Sequence, residues 1–204
     1  MIASSVRMKR VRKKSHSGRP STGQVRVIGG QWRGRKLPVS DALGLRPTTD
    51  RNKETLFNWL MHQTTDARCL DVFAGSGGLG IEALSRYAAC CLFFEKDKTA
   101  ARQLESNLAT LNANGKVLQG DALALLGEQS GPFDIVFVDP PFKFDLVKPT
   151  LALIQQNNLV CAGSVIYLEQ EPDAPLPELP GHWQVTKHKQ SSGLQYLLIE
   201  VLPT

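Results

Sequence analysis

Two rhythms of apolar and polar positions divide the chain. Between residues 69 and 157, short runs rich in valine, isoleucine, leucine and phenylalanine alternate with segments whose apolar positions recur every three or four residues. The runs predict strands at 69–73, 90–95, 116–119 and 133–138, and the periodic segments predict helices near 78–88, 98–112, 122–129 and 145–157. In the second helix Ala100, Leu104, Leu108 and Leu111 line one face. Such alternation implies a mainly parallel sheet with helices on both sides. Beyond residue 160 the helices stop: 163–169, 183–189 and 194–201 read as three strands, the last two joined as a hairpin through Gln190-Ser191-Ser192-Gly193.

Upstream, Leu56, Phe57, Leu60 and Met61 recur at helical spacing behind a turn, Leu45-Arg46-Pro47-Thr48-Thr49-Asp50-Arg51, with Thr49 or Asp50 as N-cap. Val25-Arg26-Val27-Ile28, then Gly29-Gly30, then 32–39 predict a β-hairpin. Residues 1–22 are basic and poor in large apolar groups, which predicts a mobile tail. The organisation is therefore a tail (1–22), a hairpin with linker (23–44) and one α/β domain (45–204) with no internal repeat.

Composition changes this picture at one point. The 204 residues suffice for one well-buried α/β domain, and the formal charge is only +5. That charge is unevenly placed: residues 1–53 hold 14 Lys/Arg against Asp41 and Asp50, a net +12, and the remainder is net −7. A basic front on an acidic body points to a polyanionic partner. Arg26, Arg33, Arg35 and Lys36 interleaved with Trp32 make the hairpin the expected contact with RNA or DNA. Cys69, Cys90, Cys91 and Cys161 lie in apolar segments without C-x-x-C spacing, so buried reduced thiols in a cytoplasmic protein are expected. No apolar stretch follows the basic tail as a signal peptide requires, and the most hydrophobic window, 87–94, is far short of the roughly 20 residues of a membrane span. His16, His62, His182 and His188 lack metal-ligand spacing, and nothing suggests more than a monomer.

Candidate chemistry gathers at the strand ends. Leu70-Asp71-Val72-Phe73 leads into Ala74-Gly75-Ser76-Gly77-Gly78-Leu79-Gly80, where Gly75, Gly77 and Gly80 satisfy G-x-G-x-x-G. Glu95 ends the next strand and suits a ribose diol. A dinucleotide would set its pyrophosphate at the following helix, where the Asp71 carboxylate repels it. The same carboxylate favours a ligand with an ammonium and a sulfonium centre, as in S-adenosylmethionine. Asp121 in Gly120-Asp121-Ala122 suits an adenine amino group. Asp71, Glu95, Asp121 and Asp139 all fall at strand ends, although each alone could be a helix cap or a solvated loop residue. Asp139-Pro140-Pro141-Phe142 closes the most apolar strand with a turn that offers acceptors, no proline N–H and an aromatic face, which suits a planar ring carrying an exocyclic NH2.

On these residues the chain resembles a class I S-adenosylmethionine-dependent methyltransferase, and more closely the bacterial RsmD-type family that methylates guanine N2 in 16S ribosomal RNA. The resemblance runs from Gln24 nearly to the end. It rests on Val27-Ile28-Gly29-Gly30-Gln31-Trp32-Arg33-Gly34-Arg35, the turn at 45–51, Glu54-Thr55-Leu56-Phe57-Asn58-Trp59-Leu60, residues 70–80, and Val138-Asp139-Pro140-Pro141-Phe142. Residues 187–196 match the family pattern least well. The resemblance implies a Rossmann-like, seven-stranded, mainly parallel sheet with an antiparallel C-terminal hairpin. It implies S-adenosylmethionine held by Asp71, Phe73, Gly75, Ser76, Gly77, Gly80, Glu95, Asp121 and Ala122, and catalysis at Asp139, Pro140, Pro141 and Phe142 without a metal. RNA of an assembling small ribosomal subunit would be held by Arg26, Trp32, Arg33, Arg35, Lys36, Arg46 and Arg51. The residues alone also admit an amino-methyltransferase acting on DNA adenine N6 or cytosine N4 or on a protein amide, a nicotinamide-dependent oxidoreductase, and a non-catalytic RNA-binding assembly factor.

Overall fold

Strand β6 (Ile135–Val138) is apolar and buried at all four positions, and the sheet is built outward from it. The computed structural model describes residues 23–39, 50–142, 144–191 and 193–203; the expected tail, Arg46, Thr49 and the rest of the 45–49 turn lie outside them. Chain order is β1 (Gln24–Arg26), β2 (Lys36–Pro38), α1 (Asp50–Trp59), β3 (Arg68–Asp71), α2 (Gly78–Ser85), β4 (Cys90–Glu95), α3 (Lys98–Leu111), β5 (Gly115–Gln119), α4 (Ala122–Gly127), β6, α5 (Val147–Gln156), β7 (Val165–Gln170), β8 (Trp183–Gln190) and β9 (Gln195–Val201). The strands form a two-stranded ribbon, β1-β2, and a seven-stranded sheet of order β5-β4-β3-β6-β7-β9-β8. Five strands run parallel, whereas β9 is antiparallel to both β7 and β8. This is the Rossmann-like arrangement the sequence implied.

Alternation along each strand sends successive side chains to opposite faces. Cys69, Phe93, Ile135, Phe137, Tyr167, Tyr196 and Leu198 face a core that includes Leu56 and Phe57 of α1, Leu79 of α2 and Leu104 of α3. Leu70, Phe94, Val136, Val138, Leu168, Leu197 and Ile199 face a second core with Leu126 of α4 and Ile154 of α5. Each fully buried leucine, isoleucine or phenylalanine contributes about 1.5–3 kcal/mol.

Several boundaries differ from expectation for local reasons. Residues 32–35 form a tight turn, not the start of a strand: Gly30 (φ 72) and Gly34 (φ 84) bend the chain, and the Gly34 N–H bonds the Val27 carbonyl at 2.8 Å. Helix α2 ends at Ser85 because Tyr87 turns left-handed at φ 71. Strand β6 begins at Ile135, just after Asp134, whose side chain accepts from the Arg68 N–H at 2.7 Å. Cys69 and Cys91 are buried as expected, but Cys90 is half-buried at the start of β4 and Cys161 is exposed, since it lies in the turn just before β7.

The hairpin is part of the body of the domain. Val25, Val27, Leu37 and Val39 belong to the first core. Buried Lys53, only 1% exposed, donates from Nζ to the Arg26 carbonyl. Burial pulls its pKa down, opposed by the charges of Glu82 and Asp50. Glu82, fully buried on α2, accepts from the Ile28 N–H and from Arg86 Nε, both at 2.9 Å. Ser85 Oγ donates to the Gly29 carbonyl at 2.6 Å and accepts from the Trp32 N–H at 3.0 Å. A Cβ at Gly30 would lie 1.8 Å from the Ser85 carbonyl oxygen, so only glycine permits this approach. Glu82→Ala strips the acceptor from Ile28 and Arg86 and leaves buried Lys53 with the exposed Asp50, 3.7 Å away, as its counter-charge, at a cost of about 3–5 kcal/mol. Urea unfolding should show that loss, and one below about 1 kcal/mol would contradict the docking role.

Candidate functional site

Strand order reverses between β3 and β6, since β4 continues the sheet on one side of β3 and β6 lies on the other. Ligands of such sheets bind in the crevice outside the carboxyl ends at that reversal. Asp71, the last residue of β3, and Asp139, the first after β6, stand on its two sides. Glu95 ends β4, and Asp121 follows β5 by two residues. The four acids predicted at strand ends therefore sit on four adjacent strands.

Asp71 lies beneath the glycine loop, only 2% exposed, and its Oδ2 accepts from the Gly80 N–H at 3.1 Å. Burial pushes its pKa up to about 7; the Gly80 bond works against that shift, and the charges of Asp139 and Glu95 add to it. The glycines have separate tasks. Gly75 (φ 52) and Gly77 (φ 75) take left-handed conformations in the turn. Gly80 sits so close to β4 that a Cβ would lie 2.2 Å from the Phe93 ring. Glu95 closes the loop from the other side: Oε2 accepts from the Gly75 N–H and Oε1 from the Asp97 N–H, both at 2.7 Å.

Asp121 fulfils the helix-cap alternative. Its Oδ1 accepts from the Leu123 N–H at 3.1 Å, and Oδ2 meets Lys96 Nζ at 3.2 Å. That lysine holds the carboxyl below its usual range. Ala122 is buried beside it, while Phe73 and Ser76 are half-buried around the loop.

At the turn after β6, Pro140 is buried, Asp139 is half-buried and Pro141 is exposed. Phe142 is half-buried, with part of its ring packed on the first core. Behind the turn stands a group absent from the sequence reading. The Tyr167 hydroxyl donates to Glu169 Oε1 at 2.7 Å, and both residues are buried. Burial, Glu169 and the charge of Asp139 together push the Tyr167 pKa well up. The rings of Tyr167, Tyr196 and Trp59 follow one another at 6.1 and 5.4 Å between centroids. Glu169 carried the same signal as the other acids, a carboxylate at the carboxyl end of a core strand.

Of the expected polyanion contacts, Arg26, Arg33, Arg35, Lys36 and Arg51 are exposed and Trp32 is half-buried. The ribbon adjoins the glycine loop: a Cβ at Gly78 would lie 3.5 Å from Val25 Cγ2. Among the described residues no three His, Cys, Asp or Glu side chains are grouped to hold a metal ion, and no helix is long and apolar enough to cross a membrane.

Known proteins share this architecture. A family model described as Conserved hypothetical protein 95 matches residues 25–200. The chain is 49% identical over 191 residues to Ribosomal RNA small subunit methyltransferase D of Escherichia coli strain K12, covering 93% of this chain and 95% of that protein. It is 48% identical over 183 residues to the protein of the same name from Haemophilus influenzae, covering 87% and 94%. The solved structure of yhhF from Escherichia coli superposes with a TM-score of 0.84 at 46% identity, covering 89% of this chain and all of that one.

Proposed function

Because the chain belongs to the family of these small subunit methyltransferases, we propose that it transfers a methyl group from S-adenosylmethionine to the exocyclic N2 of a guanine in 16S ribosomal RNA, on a small subunit under assembly. The observation that carries this reading is the Asp139-Pro140-Pro141-Phe142 turn at the strand-order reversal, on the strand next to the one that ends in Asp71 and the glycine loop.

The donor set fits the cofactor. Its ammonium, ribose hydroxyls and adenine amino group are all donors or cations, and the loop is bordered by carboxylates. Asp71 would supply negative charge toward its ammonium, Glu95 would accept from the ribose diol, and Asp121 would accept from the adenine amino group. The 75–80 loop, with Phe73, Ser76 and Ala122, shapes the walls. When bound, S-adenosylmethionine supplies a methyl carbon made electrophilic by its sulfonium.

The protein's task is to prepare the nucleophile. A guanine amino nitrogen is weak because its lone pair is delocalised into the ring. Asp139 and the Pro140 carbonyl each accept one N–H, which rotates that lone pair out of conjugation and aims it across the crevice. Once methylated, the nitrogen is acidic and Asp139 takes its proton. Phe142 offers a ring face worth about 1–3 kcal/mol of stacking, against an unstacking cost of a few kcal/mol for a base drawn out of its helix.

Mass mapping of 16S ribosomal RNA from cells lacking the protein tests the proposal. One N2-methylguanine should be absent, returned by the wild-type chain and not by Asp139→Ala. An unchanged modification map would overturn it.

A further inference from the structure

Strand β8 is the outer edge of the sheet, and its positions 186–190 are all exposed. Its first four residues, Trp183, Gln184, Val185 and Thr186, carry no charge; the next three are Lys187, His188 and Lys189. Edge strands often carry lysine to block pairing with other chains. Such protection has no reason to gather at one end. Here the lysines gather at the end nearest the catalytic turn. Lys189 is level with Tyr196 on β9, and Tyr196 is level with Glu169 on β7. Val138 pairs with Leu168 on β7, so the same row reaches Asp139. Three strand spacings separate Lys189 from Asp139, about 14 Å.

The face these lysines occupy is set by a bulge. Val185 pairs with Ile199 and packs with the second core, the one covered by α4 and α5. Unbroken alternation would send residues 187 and 189 to that same face. The register instead shifts between Val185 and Lys187, placing Lys187 level with Leu198 and Lys189 level with Tyr196. Leu198 and Tyr196 both face the first core. Thr186 Oγ1 donates to the Leu198 carbonyl at 3.3 Å within the bulge. A one-residue slip moves a strand's side chains to the other face, and bulges re-aim them in this way. The first-core face is the one that carries α1 with Arg51, and the basic ribbon with Arg26, Arg33, Arg35 and Lys36.

We propose that Lys187 and Lys189, turned by the Thr186 bulge onto the ribbon's face of the sheet, form a second phosphate-binding site that holds the RNA on the far side of the catalytic turn. The RNA would then cross one face from the ribbon over α1 to β8, with the target base taken out between the two basic ends. The Asp139–Lys189 interval corresponds to on the order of four nucleotides at the rise of a stacked strand. The inference rests on the RNA-substrate reading above, and its readout is binding, so it does not depend on the methyl-transfer chemistry.

The test uses the full chain with a 16S ribosomal RNA fragment and with assembling small subunits, titrated across salt concentration. Lys187→Ala/Lys189→Ala should flatten the slope of log affinity against log salt by about 1.4, at about 0.7 per single-strand phosphate contact. It should weaken binding on the order of 10–30-fold at 0.1 M salt. Cofactor affinity and thermal stability should stay at wild-type levels, and Gln184→Ala, at the uncharged end of β8, should change neither slope nor affinity. A wild-type slope in the double variant overturns the proposal. Binding lost on assembling subunits but kept on naked RNA overturns it too, and assigns the face to a ribosomal protein. If Asp139→Ala binds RNA with the Lys187/Lys189-dependent slope and still transfers methyl, the catalytic reading fails while this site stands.

Discussion

Asp139→Ala is expected to lower the rate of methyl transfer at saturating substrates by about 10³-fold, with cofactor affinity near that of the wild type. The size follows from two lost contributions. One is a fixed acceptor that reshapes the nucleophilic nitrogen, and the other is the base that receives its proton. Asp139→Asn separates them, because the amide oxygen still accepts one N–H but the side chain takes up no proton, so its defect should be smaller. Single-turnover transfer of labelled methyl to ribosomal RNA reads both variants, with cofactor titration alongside. Transfer by Asp139→Ala within about threefold of wild type would remove Asp139 from the chemistry. Removing this charge also relieves part of what raises the pKa of Asp71, so cofactor binding by the variant should extend to slightly lower pH.

The second large effect belongs to Asp71. Its carboxyl has a pKa raised from 3.8 to about 7 by burial, so in the cofactor-free protein the folded state binds the proton more tightly than the unfolded state does. Between these two values the folded state carries the extra proton, and stability falls as pH rises. The destabilisation is absent below the unfolded pKa and complete above about 7, where it reaches on the order of 4 kcal/mol. A cationic ligand prefers the ionised form, so cofactor affinity should rise with pH through about 7 and then level off. Asp71→Asn keeps an acceptor for the Gly80 N–H and loses the charge. It should bind cofactor about 10²-fold more weakly at pH 8, with a flat pH profile, and unfold at higher urea concentration than wild type at that pH. Weak binding together with greater stability is the signature of a site that holds a charge for function. A variant with wild-type affinity at pH 8 would show that the Asp71 charge plays no part in binding.

Both predictions start from residues visible in the sequence, but their environments were not. Glu95 and Asp121 were read as ligand acceptors. Each also holds backbone N–H groups, Glu95 those of Gly75 and Asp97, and Asp121 those of the first turn of α4. Those partners lie across a loop or within one helical turn, and spacing alone does not choose between a ligand and a backbone group. Lys53 and Glu82 were missed altogether, since a lysine or glutamate in a helix is ordinarily solvated. Their burial follows from the ribbon, whose Arg26 carbonyl meets Lys53 across 27 residues and whose Ile28 N–H meets Glu82 across 54, and whose valines fill the core beside them. Glu169 could have been suspected as a fifth acid at a strand end, and its bond to Tyr167, two residues back on the same strand, is local; the burial of the pair depends on β7 lying between β6 and β9.

By itself the sequence determined what short-range sterics and periodicity control: the alternation of strand and helix, the left-handed glycines of the loop, the double-proline turn and the row of acids at strand ends. The tertiary structure decided which strands are neighbours, and with that the burial of Asp71, the seating of the ribbon on Glu82 and Ser85, and the face on which Lys187 and Lys189 emerge. The physical reason is one of range. A turn or an alternation is set by neighbours a few residues away, whereas burial and facing depend on groups far off in sequence, and a single bulged residue in β8 is enough to reverse them.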